Sequence, residues 1–211
     1  IPDYAARFRA AYPDVPIEGF AFEHAANAIG AFEVHAFTFL DSPFDRYLAH
    51  DDAALTAREK RGGLLFFGEA RCVHCHNGPF LGGQGFANAG VPQLGPGVGR
   101  AAPPDFGFGE VIDQEFYRFA FRVAPLRNVD LTAPYMHNGA FATLEAVLDH
   151  YNDVPVALRA YDGALLPPAL RGTVHGDEAT ISAVLATLDP RLVPPLGLSE
   201  TERQDVVAFL R

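Results

Sequence analysis

Apolar residues along this chain recur mostly at three- and four-residue intervals, the spacing that lines one face of a helix. Between positions 18 and 40, Phe20, Ala21, His24, Ala28, Ala31, Phe32, His35 and Phe39 follow that spacing and predict a long amphipathic helix. Ser42-Pro43 ends it, because the residue before a proline is pushed away from helical backbone angles. Residues 4–12 predict a shorter helix that stops at Pro13. Thr56-Ala57-Arg58-Glu59 has the capping-box pattern and opens a helix through Leu64, Leu65, Phe66 and Phe67. Further helices are predicted over 143–151 and 178–188, the latter ended by Asp189-Pro190. Ser199-Glu200-Thr201-Glu202 is a second capping box and starts a final helix running to Arg211. Strand-like alternation is scarce and no internal repeat is present. The pattern predicts an all-α chain with long loops. The longest, 77–109, is rich in Gly and Pro, and in a compact domain such a length implies a loop wrapped around something.

Composition narrows the possibilities. At 211 residues, 49% of them hydrophobic, the chain can hold one large domain or one domain plus part of another. The expected division is 1–50, a helical segment, and 51–211, the main domain. A net charge of −10 argues against nucleic acid and anionic membrane as partners and suits steering toward a basic redox partner. No apolar run approaches the ~20 residues that span a bilayer. The chain opens at Ile1 without a Met, which reads as a processed or truncated product.

The chemistry concentrates at Cys72-Val73-His74-Cys75-His76. The chain has two cysteines and both are here. C-x-x-C-H is a covalent haem-attachment spacing: two thiols on one turn can add to the porphyrin vinyl groups, and the adjacent imidazole reaches the iron. A Cys72–Cys75 disulfide would close too small a loop to stabilise much. Zinc would ask for four ligands and a second pair downstream, and none exists. A thioredoxin-like site would need a βαβ context. Covalent haem is therefore expected, held by Cys72 and Cys75 with His76 as proximal ligand, and such attachment outside the bacterial cytoplasm points to the periplasm. A helix leading into C-x-x-C-H, a long loop and a capped C-terminal helix form a class I cytochrome c layout. The axial ligand opposite His76 then sets the redox character. Met136, the single methionine, and His137 are open candidates, and Met136 reads equally as core filler.

The segment Pro125-Leu126-Arg127-Asn128-Val129-Asp130-Leu131-Thr132-Ala133-Pro134-Tyr135-Met136-His137-Asn138-Gly139 and its continuation to Glu145 closely resembles the hallmark stretch of bacterial di-haem cytochrome c peroxidases and their MauG-like relatives. Ser42-Pro43-Phe44-Asp45-Arg46-Tyr47-Leu48, Gly62-Gly63-Leu64-Leu65-Phe66 and Phe86-Ala87-Asn88-Ala89-Gly90-Val91 resemble further blocks of that family in the same order. The resemblance covers the C-terminal haem domain and the end of the preceding one. It implies that 1–50 belongs to or packs on an N-terminal haem domain, whose own C-x-x-C-H and second haem lie outside this chain. The chain alone would then be an incomplete enzyme.

In the conventional peroxidases of this family the sixth ligand is a Met fourteen residues after the His of Pro-Tyr-x-His, and MauG-like enzymes have a Tyr there. From His137 that count reaches Tyr151. Leu144, Val147, Leu148 and Tyr151 fall on one helix face, expected to turn toward the haem. A hard phenolate lowers the potential and favours oxidised iron, whereas a thioether favours Fe(II). Tyr151 thus points to a MauG-like enzyme that uses hydrogen peroxide to oxidise a protein partner through high-valent iron. The alternatives are a conventional peroxidase fed by a small redox protein, and a monohaem electron carrier. The resemblance also implies Ca²⁺ on the backbone carbonyls of Thr132 and Pro134, completed by the missing half. It makes Arg127 a candidate partner of a haem propionate and His137 a candidate catalytic group near the inter-haem region. His24, His35, His50, His74, His150 and His175 read as core or surface histidines. The chain has no Trp, so an aromatic relay between haems would come from outside it.

Overall fold

Proline at the first turn of a helix gives up no hydrogen bond, and Pro2 opens α1 (Pro2–Ala11) in that way. In the computed structural model, which describes residues 1–83 and 85–211, this helix belongs to the first of two compact units, Ile1–Asp51 and Asp52–Arg211. Phe8, Tyr12, Phe20 and His24 form an aromatic cluster that joins the end of α1 to the start of the next helix, and the Tyr12 hydroxyl donates to the His24 carbonyl at 3.2 Å. The helix expected over 18–40 is observed as α2 (Phe22–Phe37). It starts later because Ile17–Gly19 forms a 3₁₀ turn, and the Ala21 amide is capped by His24 Nδ1 at 3.1 Å. Ser42-Pro43 does more than end that pattern. Ser42 and Asp45 make a reciprocal cap, and Pro43 begins α3 (Pro43–Leu48). None of these three helices carries a buried residue. Phe22, Ile29, Phe32, Val34 and Phe37 of α2 are all exposed.

The first α-helix of the second unit begins at the Thr56 cap. Thr56 and Glu59 close the box as read from the sequence and start α4 (Ala57–Phe67). The Gly/Pro-rich stretch that follows holds the two-residue strand β1 (Phe86–Ala87) and the short helix α5 (Phe108–Ile112). β1 pairs antiparallel with β2 (Phe121–Arg122), Phe86 opposite Arg122 and Ala87 opposite Phe121. Thr143 caps α6 (Leu144–Asn152), and Asp153 ends α6 while capping α7 (Val154–Arg159). Asp177 caps α8 (Glu178–Ala186), and the Ser199–Glu202 box starts α9 (Glu200–Leu210). The chain is mostly helical with little sheet, as its pattern predicts. Among the described residues no helix is long and apolar enough to cross a membrane.

The frame of this unit is the crossing of α4 on α9. A Cβ on Gly62 would lie 1.8 Å from the Asp205 carbonyl oxygen, so only glycine permits the approach. A Cβ on Gly63 would sit 3.2 Å from the Phe209 ring. Phe66 is 1% exposed and tilts against Phe209 with centroids 5.5 Å apart, while Val206 is fully buried beside them. Asp205, itself buried, is held by Arg58 at 3.1 Å and Arg61 at 2.9 Å across the crossing. A second core gathers Phe119, Leu158, Ile181 and Val184, and a third gathers Val91, Ala140 and Phe141.

Candidate haem centre

α4 ends at Gly68, and the chain turns through Arg71, whose φ of 57° is left-handed, into a 3₁₀ turn over Cys72–His74. The amides of Cys75 and His76 both donate to the Cys72 carbonyl, at 3.1 and 2.8 Å. This winding gathers both thiols and the imidazole on the wall of one cavity of about 430 Å³. Both cysteines are free thiols, and His74 between them is exposed. Burial pushes the Cys72 thiol up to about 11 and raises Cys75 as well, the nearby Arg191 opposing the latter. Burial likewise lowers the pKa of His76, so its ring is neutral. Its Nδ1 lies 3.1 Å from the Leu81 carbonyl, which assigns the proton to that nitrogen and leaves Nε2 as a lone-pair donor. Gly82 makes this contact possible. Its φ is +142°, and a Cβ there would meet the Ala124 carbonyl oxygen at 2.4 Å.

The rest of the cavity is predominantly apolar. Leu144, Val147, Leu148 and Tyr151 of α6 line it together, as do Val206 and Leu210 of α9. The Tyr151 hydroxyl makes no hydrogen bond among the described residues. Burial drives its pKa well above the ordinary range, with the cysteine thiolates adding to the effect. Met136 also lines the cavity, from a left-handed backbone position (φ 68°), while packing against the Val91–Ala140–Phe141 core. His137 lines it too, stacked on Phe121 with centroids 3.4 Å apart, and burial lowers its pKa to about 4 against a weaker opposing pull from Asp105. Thr132 and Pro134 lie on the same wall, the Thr132 hydroxyl donating to the Val129 carbonyl at 2.9 Å. The donor set suits a covalently held porphyrin. Paired thiols and a neutral imidazole with its proton parked elsewhere stand beside a large apolar wall. The half-buried Tyr151, whose hydroxyl has no hydrogen bond among the described residues, completes the set.

Comparison with known proteins agrees with this chemistry. The family model for di-haem cytochrome c peroxidase matches residues 1–53. Cytochrome c551 peroxidase of Pseudomonas aeruginosa is 42% identical over 207 residues, covering 96% of this chain and 54% of that protein. Methylamine utilization protein MauG of Methylorubrum extorquens is 31% identical over 212 residues, covering 100% of this chain and 49% of that protein. The chain belongs to the di-haem cytochrome c peroxidase and MauG family. A crystal structure described as a MauG-like protein associated with microbial copper homeostasis superposes with a TM-score of 0.68 at 31% identity, over 99% of this chain and 57% of that one. The chain spans about half the length of the curated relatives it matches.

In this di-haem family member, Cys72, Cys75, His76, Tyr151, His137, Thr132 and Pro134 all line one cavity. Arg127 is not among the lining residues, and its Nη1 lies 3.5 Å from the Pro79 carbonyl. Three other arginines line the cavity instead, Arg71, Arg122 and Arg191. Sequence reading passed over them. Arg71 sits directly before the motif and could have been noticed there, but Arg191 meets the motif only through the fold.

Proposed function

We propose that this chain is the C-terminal haem half of a MauG-like di-haem c-type enzyme that uses hydrogen peroxide to oxidise a protein partner. The observation that carries the reading is Tyr151, whose unpartnered hydroxyl faces the cavity lined by Cys72, Cys75 and His76. Bound haem supplies an iron centre that stores and passes on oxidising equivalents. Cys72 and Cys75 hold it as thioethers, and His76 presents Nε2 while the Leu81 carbonyl keeps its Nδ1 proton in place. Tyr151 loses its proton only against a strong neighbouring cation, because burial otherwise keeps the phenol neutral. A metal ligand is the role that fits such a hydroxyl. The apolar residues of α6 and α9 line the site and give it a low-polarity wall.

The wider assignment follows the same reading. Residues 51–211 form a class I cytochrome c-like domain, a reading supported by the compact unit Asp52–Arg211 and by the α4–α9 crossing directly before the attachment turn. Residues 1–50 pack on an N-terminal haem domain that carries the second haem, supported by the family match over 1–53 and by helices that bury nothing of their own. The carbonyls of Thr132 and Pro134 hold Ca²⁺ with groups from that half. Arg127 remains a candidate for a propionate near the rim, His137 for a group acting between the haems, and the periplasm for the location. A conventional peroxidase fed by a small redox protein is the second reading, favoured by the 42% identity to cytochrome c551 peroxidase and by Met136 on the same cavity wall.

Tyr151→Phe tests the choice. The haem should stay attached, while the low-spin ferric signal of His/Tyr ligation disappears from the EPR spectrum. An unchanged spectrum removes Tyr151 as a ligand. Rapid turnover of peroxide with a reduced small cytochrome by the complete two-haem protein would favour the second reading.

A further inference from the structure

The loop after α8 and the attachment turn are fastened to each other in both directions. From the turn, Arg71 Nη2 donates to the carbonyls of Pro194 at 2.8 Å and Pro195 at 3.2 Å. From the loop, Arg191 Nη1 donates to the carbonyl of His74, inside the motif, at 3.1 Å. Arg191 is itself gripped by Asp189 through two parallel bonds, Nε to Oδ1 at 2.8 Å and Nη2 to Oδ2 at 2.6 Å. The fork geometry of guanidinium on carboxylate leaves Nη1 free for the His74 carbonyl. Asp189 is fixed in turn. Its amide donates to the carbonyl of Asn88, and the buried Asn88 side chain donates to Val184 and Thr187. The Asp189 side chain is 11% exposed and that of Arg191 41%. Arg191 is also among the residues that line the cavity, together with Cys72, Cys75 and His76.

We propose that Arg191 is a positioning residue that pins the haem-attachment turn and sets the charge beside the haem, with Asp189 as its fixed counter-charge. This rests on the haem reading above. A cation held beside the cofactor favours the reduced state, which carries one more electron, and so raises the reduction potential. Removing Arg191 leaves Asp189 uncompensated and lowers it. Removing the Asp189 charge leaves Arg191 uncompensated and raises it. A latch that was only mechanical would loosen the turn in either variant and shift both the same way.

The experiment is spectroelectrochemical titration of the full protein with every haem it attaches, for Arg191→Leu, Asp189→Asn and Arg191→Lys, after haem content is measured by the pyridine haemochrome spectrum. Arg191→Leu should shift this haem to lower potential and Asp189→Asn to higher, with Arg191→Lys closest to the unaltered protein. Shifts of the same sign in the first two overturn the inference while leaving the haem reading intact. Absence of covalent haem from the unaltered protein removes both. If Arg191→Leu fails to retain haem, Asp189→Asn and Arg191→Lys decide: an upward shift in the former and a near-normal potential in the latter support the inference, and a downward shift in Asp189→Asn overturns it.

Discussion

On the attachment side of the cavity, polar groups are held by partners fixed elsewhere in the fold. The His76 imidazole is tied to the Leu81 carbonyl, the His74 carbonyl to Arg191, and Arg71 to the Pro194 and Pro195 carbonyls. On the α6 side the arrangement is the reverse. Leu144, Val147 and Leu148 pack, and Tyr151 brings to the same cavity a hydroxyl with no partner among the described residues. The difference teaches what each wall is for. On the proposed haem reading, covalent attachment demands a turn whose atoms do not wander, and the hydrogen bonds that lace this wall suit it. On the same reading, a ligand that decides redox character must keep its donor atom uncommitted, and apolar packing around Tyr151 suits that role.

Removing the central group of the laced wall should have the largest effect. His76→Gly is expected to leave the thioether links in place and abolish proximal ligation, read as loss of the six-coordinate absorption spectrum. A spectrum that stays six-coordinate would overturn the assignment of His76. Behind that wall, Gly62→Val drives a side chain into the Asp205 backbone and should cost about 3 kcal/mol in thermal or denaturant unfolding. The control is Gly30→Ala on α2, where an added Cβ meets nothing within 4 Å. Alanine is the better helix former there, so that change should be neutral or stabilise by up to about 1 kcal/mol. Equal losses in the two variants would mean that the α4–α9 crossing is not the frame.

The laced wall was legible in the sequence where its determinants are local. Thr56 with Glu59 and Ser199 with Glu202 are caps closed within four residues, and Cys72 to His76 is a single turn. The place of Tyr151 on the cavity wall was legible through the helical spacing of α6, which is short-range. Arg191 was not, because its bond to His74 joins residues 117 apart and exists only once the loop after α8 has folded back. Arg127 is the opposite case. It stands in the most recognisable segment of the chain yet lies outside the set lining the cavity, where Arg71, Arg122 and Arg191 stand instead. The α3 helix was hidden for a simpler reason. Ser-Pro can end one helix or begin the next, and only the reciprocal bond to Asp45 decides between them.

Two tyrosines sharpen the comparison further. The Tyr161 hydroxyl donates to the Ala140 carbonyl at 2.8 Å and so belongs to the structural network. Tyr161→Phe should therefore destabilise the fold by about 1 kcal/mol and leave the haem spectrum alone. Tyr151→Phe should do the converse, changing the spectrum while its haem-free unfolding midpoint stays nearly constant, because no protein hydrogen bond is lost. A marked stability loss in Tyr151→Phe, measured before haem attachment, would mean that its hydroxyl serves the fold.

The smallest effect is electrostatic and lies at the α4–α9 crossing. Arg61, and behind it Arg58, hold the Asp205 carboxyl below the usual carboxylate range, against burial that pushes it up. A carboxyl depressed in the folded state contributes stability that is fully present above its unfolded pKa of about 4 and is lost as pH falls through the lower folded value. Both arginine side chains are about half exposed, at 50% and 58%, so solvent screens the pair and the contribution is modest. Asp205→Asn should accordingly melt lower than the unaltered protein at pH 7, by on the order of 3 °C. The gap should stay constant down to about pH 4 and close below it, because acid then neutralises in the parent the charge that the variant already lacks. A gap that widens with acidification would show that the arginines do not stabilise the carboxylate form. The crossing behind the attachment turn would then be held by Gly62 and its apolar neighbours alone.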